Sequence, residues 1–253
     1  MLDLFDVAGT TALVTGSTRG IGRALAEGLA QAGARVVIHG RDQSAIDRVR
    51  AELEQTGATT LGASFDVTDP DAVVAGIAAI EDEAPLGILV NNAGMQRRAP
   101  FLDFTVADWN ELVATNLTSA FLVGQAVARG MVARGSGKII NIGSVQSRLG
   151  RPGITPYAAT KGGIAMLTRG MCADLAGSGI QVNALAPGYF ATELTQALVD
   201  DPEFSAWVAK RTPAGRWGET RELVGTLLFL ASPASDFVNG QVIFVDGGMT
   251  AVV

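Results

Sequence analysis

The chain has 253 residues, 48% hydrophobic and 17% charged, which is the size and balance of one large α/β domain with a substantial apolar core. Its net charge of −6 argues against a general nucleic-acid-binding role, for which a basic stripe is the usual footprint. The single cysteine, Cys172, excludes an internal disulfide and leaves no set of thiols for a zinc cluster, while the single histidine, His39, leaves no conventional hydrolase triad unless it is the base.

The acidic start, residues 1–6, has neither a basic n-region nor a long apolar stretch, and no run in the chain reaches the length that spans a bilayer. A soluble cytoplasmic protein without a membrane partner is expected. Strand-like runs are predicted at 11–15, 35–38, 60–64, 88–90, 138–142, 181–186 and 242–245. Most are continuously apolar, as parallel strands buried on both faces must be. Helical patterns alternate with them at 20–32, 43–56, 70–83, 107–134 and 157–176. This alternation predicts a single Rossmann-type, doubly wound parallel sheet of about seven strands with helices on both faces. Residues 1–253 read as one dinucleotide-binding and catalytic domain. A helical insertion near 192–219 breaks the alternation and reads as a substrate lid or as a surface helical pair used in packing or assembly.

After the first strand comes TGSTRGIG at 15–22, with Gly16, Ser17, Thr18, Arg19, Ile21 and Gly22 opening a helix. Glycines there let the backbone approach a pyrophosphate, which sits on the helix N-terminus. The second strand ends in His39-Gly40-Arg41 with no carboxylate to accept from a ribose hydroxyl. Arg19 and Arg41 favour a 2′-phosphate, so NADP(H) is expected over NAD(H), with Asp42 read as a surface ion-pair partner of Arg41. His39 reads as a strand-end residue near the cofactor pocket. Asp66 and Val67 end the third strand, where a carboxylate could accept from the adenine amino group; Asn92, Ala93 and Gly94 end the fourth, where small residues let the backbone approach the adenosine.

Tyr157 and Lys161 share a helix face at a spacing of i, i+4, and an ammonium beside a phenol is a direct way to lower its pKa from about 10. Ser144 lies upstream at the end of the fifth strand. Together with TGSTRGIG, NNAG at 91–94, Asn116, Tyr157-Ala158-Ala159-Thr160-Lys161, Pro187-Gly188 and Asp246-Gly247-Gly248, these residues resemble the short-chain dehydrogenase/reductase family over essentially the whole chain. The resemblance implies that Tyr157 is the acid/base, that Ser144 hydrogen-bonds the reacting oxygen, and that Lys161 lowers the tyrosine pKa and holds the nicotinamide ribose. It implies that Asn116 positions a water linking Lys161 to solvent, and that the cofactor surface extends to Pro187, Gly188, Phe190 and Thr192. No metal ligand set is expected.

Within the family the chain is similar to members that interconvert D-gluconate and 5-keto-D-gluconate, on the stretches 91–98, 151–154, 187–190 and 212–218. A sugar acid calls for guanidinium and amide partners. Gln96, Arg97 and Arg98 follow the nucleotide loop, and Gln146, Arg148 and Arg151 follow Ser144. The expected substrate set is Gln96, Arg97, Arg98, Ser144, Gln146 and Tyr157. The alternatives are a 3-oxoacyl-[acyl-carrier-protein] reductase, another polyol or sugar-acid dehydrogenase, and a non-catalytic NADP(H)-binding sensor. Against the first stand the acidic chain and Ser178, at a position where many such reductases carry an arginine. The resemblance also implies a homotetramer packed through the helices at 107–134 and 157–176.

Overall fold

The computed structural model describes residues 3–253; the reading of the N-terminus at Met1 and Leu2 lies outside the described residues. The first half runs β1 (Thr11–Val14), α1 (Gly20–Gln31), β2 (Arg35–Gly40), α2 (Gln43–Glu54), β3 (Thr60–Ser64), α3 (Pro70–Glu83) and β4 (Leu86–Asn91). The second runs α4 (Val106–Val113), α5 (Ser119–Arg134), β5 (Gly137–Ile142), α6 (Thr155–Leu175), β6 (Ile180–Pro187), β7 (Phe190–Ala191), α7 (Gln196–Val199), α8 (Pro202–Arg211), β8 (Gly218–Glu219), α9 (Val224–Ala231) and β9 (Val242–Val245).

Seven strands form one parallel sheet in the order β3-β2-β1-β4-β5-β6-β9. Successive strand residues point to opposite faces, and the sequence fills both. Ala12, Val14, Val36, Ile38, Ile88 and Val90 face a core closed by Leu25 and Leu29 of α1, Ile46 and Val49 of α2, and Leu227 and Leu230 of α9. Leu13, Val37, Leu86 and Leu89 face the other way, onto Val73, Ile77 and Ile80 of α3 and Val123, Val127 and Met131 of α5. The chain direction of sheet growth reverses between β1 and β4, so their carboxyl ends border the crevice where an open α/β sheet takes its ligand.

Helix starts follow local chemistry. The Asp42, Asp69 and Asp201 carboxylates each accept two backbone N–H groups at the starts of α2, α3 and α8, and Pro70 and Pro202 occupy the first turn. The Asp42 cap corrects the expected ion pair with Arg41: the carboxylate accepts from Ser44 N (2.9 Å), Ala45 N (3.3 Å) and the Ser44 hydroxyl (2.7 Å). Arg41 instead faces Asp66, at 3.7 Å.

The helix expected over 107–134 is interrupted. Residues Ala114–Thr118 form a π-helical turn between α4 and α5, with no glycine or proline in it. Its buried member, Asn116, is bonded in both directions to the Met95 backbone: Met95 N–H donates to Oδ1 (2.8 Å) and Nδ2 donates to Met95 O (2.9 Å). That pairing supplies a physical reason for the wide turn, because it fixes the side chain against the loop after β4. Two elements outside the predicted set are α9 and the two-residue parallel pairing of β7 with β8. Among the described residues no helix is long and apolar enough to cross a membrane.

Candidate active site

At the end of β1 the glycine turn is tied to both neighbouring strands. The Thr15 hydroxyl accepts from Asn92 N (2.9 Å) and Ala93 N (3.0 Å), while Asn92 Nδ2 donates to Thr15 O (2.8 Å) and Gly16 O (3.2 Å). Gly22 packs directly on this knot: a Cβ there would collide with Asn92 Nδ2 and Gly16 O, so only glycine fits. On the other side Gly16 N donates to His39 Nδ1 (3.1 Å), Ser17 N to His39 O (3.0 Å), and His39 N to Ser17 Oγ (2.9 Å). Burial holds the His39 imidazole down at about 4, so it is neutral at ordinary pH and its Nδ1 is free to accept. Its Nε2 is buried without a partner, against the Phe65 ring at 4.2 Å between centroids.

The N-terminus of α1 is open. Arg19 at its N-cap makes no side-chain cap bond, unlike Asp42, Asp69 and Asp201 at theirs, and Arg19 is exposed. Arg41 is 80% exposed, and the carboxylate next to it in the chain, Asp42, is spent on the α2 cap. Asp66 keeps one oxygen on Thr68 N (2.9 Å) and the Thr68 hydroxyl (2.7 Å), which pull its pKa down. An anionic, doubly phosphorylated ligand fits this arrangement: free backbone donors at a helix start, two exposed guanidinium groups and no free acid at the end of β2. Val67 is a core residue packed with α3, and Ile21 packs on the core beneath α1.

Ser144, Tyr157 and Lys161 come together at the ends of β5 and α6. The Ser144 hydroxyl accepts from Gln146 N (3.1 Å) at the start of a short turn over Val145–Ser147. The Lys161 ammonium is buried and donates to Ile142 O (2.7 Å), with Nζ 5.8 Å from the centre of the Tyr157 ring. Burial lowers the Lys161 pKa to about 8. The Tyr157 pKa is raised: burial is the largest cause, the Ser144 hydroxyl opposes it, and Tyr189 adds to it. Burial of the phenol decides the direction, and the expected lowering by Lys161 has no share in it. Asn116 touches the same group from behind, with Nδ2 3.4 Å from the Thr160 hydroxyl. Gly94 lies against it, a Cβ there being 3.3 Å from Asn116 Oδ1.

Of the expected cofactor residues further along, Pro187 ends β6 and Gly188 N donates to Val245 O (2.9 Å). A Cβ at Gly188 would stand 2.8 Å from Asp246 Cα, so this glycine is demanded by packing. Asp246 in turn accepts from Gly248 N (2.9 Å) and Thr250 N (2.8 Å). Phe190 is buried beneath Gly218, and Thr192 caps a short turn by accepting from Thr195 N.

The arginines sort by their partners. Arg97 is held by Asp108 (3.2 Å) and Glu111, on α4. Arg98 has no carboxylate partner among the described residues, and its pKa is lowered by partial burial and by Arg151. Arg151 donates to the Tyr189 hydroxyl (3.1 Å) and lies over the Phe204 ring at 5.1 Å. Arg148 is exposed, and Gln146 is buried with Oε1 unpaired. Gln96, Arg97 and Arg98 border a shallow depression with Ala99, Phe104 and Asp108.

Known proteins share this fold and much of this sequence. A sequence model of the family described as enoyl-(acyl carrier protein) reductase matches residues 16–250. The chain belongs to the short-chain dehydrogenase/reductase family. Within that family it is 58% identical to gluconate 5-dehydrogenase of Gluconobacter oxydans over 249 residues, covering 98% of this chain and 97% of that one. It is 53% identical to 5-keto-D-gluconate 5-reductase of Escherichia coli over 254 residues, covering 100% of both. A gluconate 5-dehydrogenase from Burkholderia cenocepacia, solved in complex with NADP and tartrate, superposes with a TM-score of 0.98 at 57% identity, over 100% of this chain and 99% of that one. The seven-stranded sheet expected from the sequence is the sheet of this family. The aromatic surroundings of Tyr189 went unread in the sequence; spaced aromatics in 189–217 were the available signal.

Proposed function

We propose that the protein is an NADP(H)-dependent oxidoreductase that interconverts D-gluconate and 5-keto-D-gluconate. The observation that carries this reading is full-length identity of 53–58% to two enzymes named for that reaction. Arg19, Arg41 and the open start of α1 would hold the dinucleotide phosphates, Asp66 the adenine, and Lys161 the nicotinamide ribose. The bound dinucleotide supplies or accepts the hydride.

The chain's own part is the proton. In reduction Tyr157 donates its phenolic proton to the carbonyl oxygen, which the Ser144 hydroxyl holds by a hydrogen bond. The raised pKa keeps Tyr157 protonated at neutral pH and suits that direction; oxidation needs the phenolate, which a charged Lys161 favours. Both amide hydrogens of Asn116 are already engaged, so a water relay from Lys161 would meet the main chain of the π turn rather than that amide. Arg98 is the expected partner of the substrate carboxylate, being the arginine of the pair Arg97/Arg98 that carries no ion-pair partner among the described residues. The unpaired Oε1 of buried Gln146 is suited to accept from a sugar hydroxyl.

Residues 192–219 act as the lid of one catalytic domain in this reading, and the active form is a homotetramer. In support of assembly, Phe121 of α5 and Met166 of α6 are exposed, as are Val106 and Trp109 of α4. Val123, by contrast, is buried in the chain's own core, and Gly163 packs on Leu117. A cytoplasmic location follows from the need for the cell's NADPH pool.

The test is NADPH oxidation with 5-keto-D-gluconate against an acetoacetyl thioester. Turnover of the sugar acid with little of the thioester is expected; the reverse would identify a 3-oxoacyl reductase, and binding of NADPH without turnover across a polyol panel would identify a sensor.

A further inference from the structure

The insertion at 192–219 is knotted within itself. Trp217 Nε1 donates to the Ser205 hydroxyl (3.0 Å), which donates to Val199 O (2.7 Å), joining the segment before β8 to α8 and α7. Around this knot Phe204, Trp207 and Trp217 each set a ring edge or a tilted face toward Tyr189, with centroids 5.6–5.8 Å from it. Such aromatic contacts are individually weak and share no covalent or backbone tie to the loop that follows Ser144. Among the described residues, one side chain crosses the gap with a hydrogen bond and a ring contact. Arg151, in that loop, donates to the Tyr189 hydroxyl and covers the Phe204 ring. No carboxylate pairs with Arg151 among the described residues, so its guanidinium is committed to the aromatic cluster.

We propose that Arg151 is a positioning residue that fastens the 192–219 insertion to the loop after Ser144 and thereby fixes Tyr189 beside Arg98, at the edge of the substrate site. The inference rests on the reading of that insertion as a lid. A guanidinium does this better than an ammonium, since its flat face lies over a ring while an N–H reaches a hydroxyl in the same plane. The placement also separates the roles of two neighbouring cations. Arg151 is used up by the protein, which leaves Arg98 as the charge available to an anionic substrate.

Tryptophan emission reads the fastening directly. The chain has three tryptophans, and Trp109 lies apart on α4, so a Trp109→Phe background leaves Trp207 and Trp217, both in the cluster. In that background Arg151→Leu should raise acrylamide quenching about twofold or more as the lid loosens. It should raise KM for 5-keto-D-gluconate about tenfold, the worth of one charge-assisted bond, with a smaller change in kcat and an unchanged KM for NADPH. Arg151→Lys should recover part of both effects. Tyr189→Phe, which removes only the accepting hydroxyl, tests the same contact should Arg151→Leu fail to fold, and should move quenching in the same direction. Unchanged quenching in both variants overturns the proposal. A raised KM with unchanged quenching also overturns it, by making Arg151 a direct substrate ligand. Raised quenching with an unchanged KM refutes the placement beside the substrate. Because quenching is read without substrate, an enzyme that proves inactive on 5-keto-D-gluconate would refute the proposed reaction and leave this test standing.

Discussion

The two sides of the candidate site are built on different principles. Around the glycine turn, the contacts among Thr15, Gly16, Ser17, His39 and Asn92 are hydrogen bonds to backbone groups, buried or partly buried, and they join three adjacent strands. Around the lid, the contacts are ring edges, one indole bond and one guanidinium, carried by four-residue and ten-residue helices. A buried backbone network has little freedom to adapt, because each broken bond leaves an orphaned polar group. Aromatic edges slide at small cost. The first side therefore suits a ligand part common to many reactions, and the second suits a part that differs between substrates and must enter and leave.

The largest effect lies where the two sides meet. Tyr157→Phe should lower kcat by about 10²–10⁴-fold, the usual worth of a positioned acid/base, with NADPH affinity retained. Near-normal turnover in steady-state assays would remove Tyr157 from the chemistry.

Next comes the rigid side. His39 is held neutral with a folded pKa of about 4 against 6.5 for the free side chain. Between those values the unfolded chain binds more protons, so stability should rise with pH from 4 to 6.5 and fall as pH drops through that window. The amount is about 3 kcal/mol, from the size of the pKa difference. Urea unfolding across this range should show the slope in the parent and lose most of it in His39→Asn, whose side chain keeps an acceptor and has no proton to gain. An identical slope in both would place the acid sensitivity elsewhere.

Arg41→Ala should raise KM for NADPH about tenfold and leave NADH nearly unaffected, since the guanidinium meets only the extra phosphate. Equal losses with both cofactors would show that Arg41 supports the fold of the turn instead. The smallest global effect belongs to the lid. Trp217→Phe deletes the indole bond to Ser205 and should lower Tm by no more than about 2–4 °C. Proteolysis of the free enzyme should nevertheless accelerate within 192–219. A cooperative loss of the whole fold would show that the lid is no softer than the glycine turn.

Much of the fold was legible because buried parallel strands are continuous apolar runs; β3 and β9 match their expected bounds, and α3 matches its expected 70–83. Helix α9 was missed because Val224–Ala231 is apolar nearly all round and offers no polar face to set a helical period. The π turn was missed for a related reason, since nothing in Ala114–Thr118 breaks a helix by its own propensity; the turn is fixed by Met95, far away in the chain. At the site, residue types and their order pointed to Ser144, Tyr157 and Lys161, and the structure brings these three together. What the order could not carry was competition for partners. Asp42 goes to the α2 cap, Arg97 to Asp108 and Glu111, and Arg151 to Tyr189, each decided by a neighbour that only folding supplies.

The π turn also limits how this chain can be edited. It holds one residue more than an α-helical turn would, so deleting any one residue from Ala114–Thr118 would let α4 and α5 fuse into a single smooth helix. The wide turn completes its revolution with that extra residue included, so the fused helix would keep the faces of α4 and α5 in register and would lose only the bulge that holds Asn116 against Met95. Val123, Val127 and Met131 would stay on the sheet and Leu112 in its buried place. A one-residue deletion at this joint would thus spare the core and strike the site, and chimaeras exchanging α4 or α5 with a relative must carry the joint across intact to keep the Asn116–Met95 pairing.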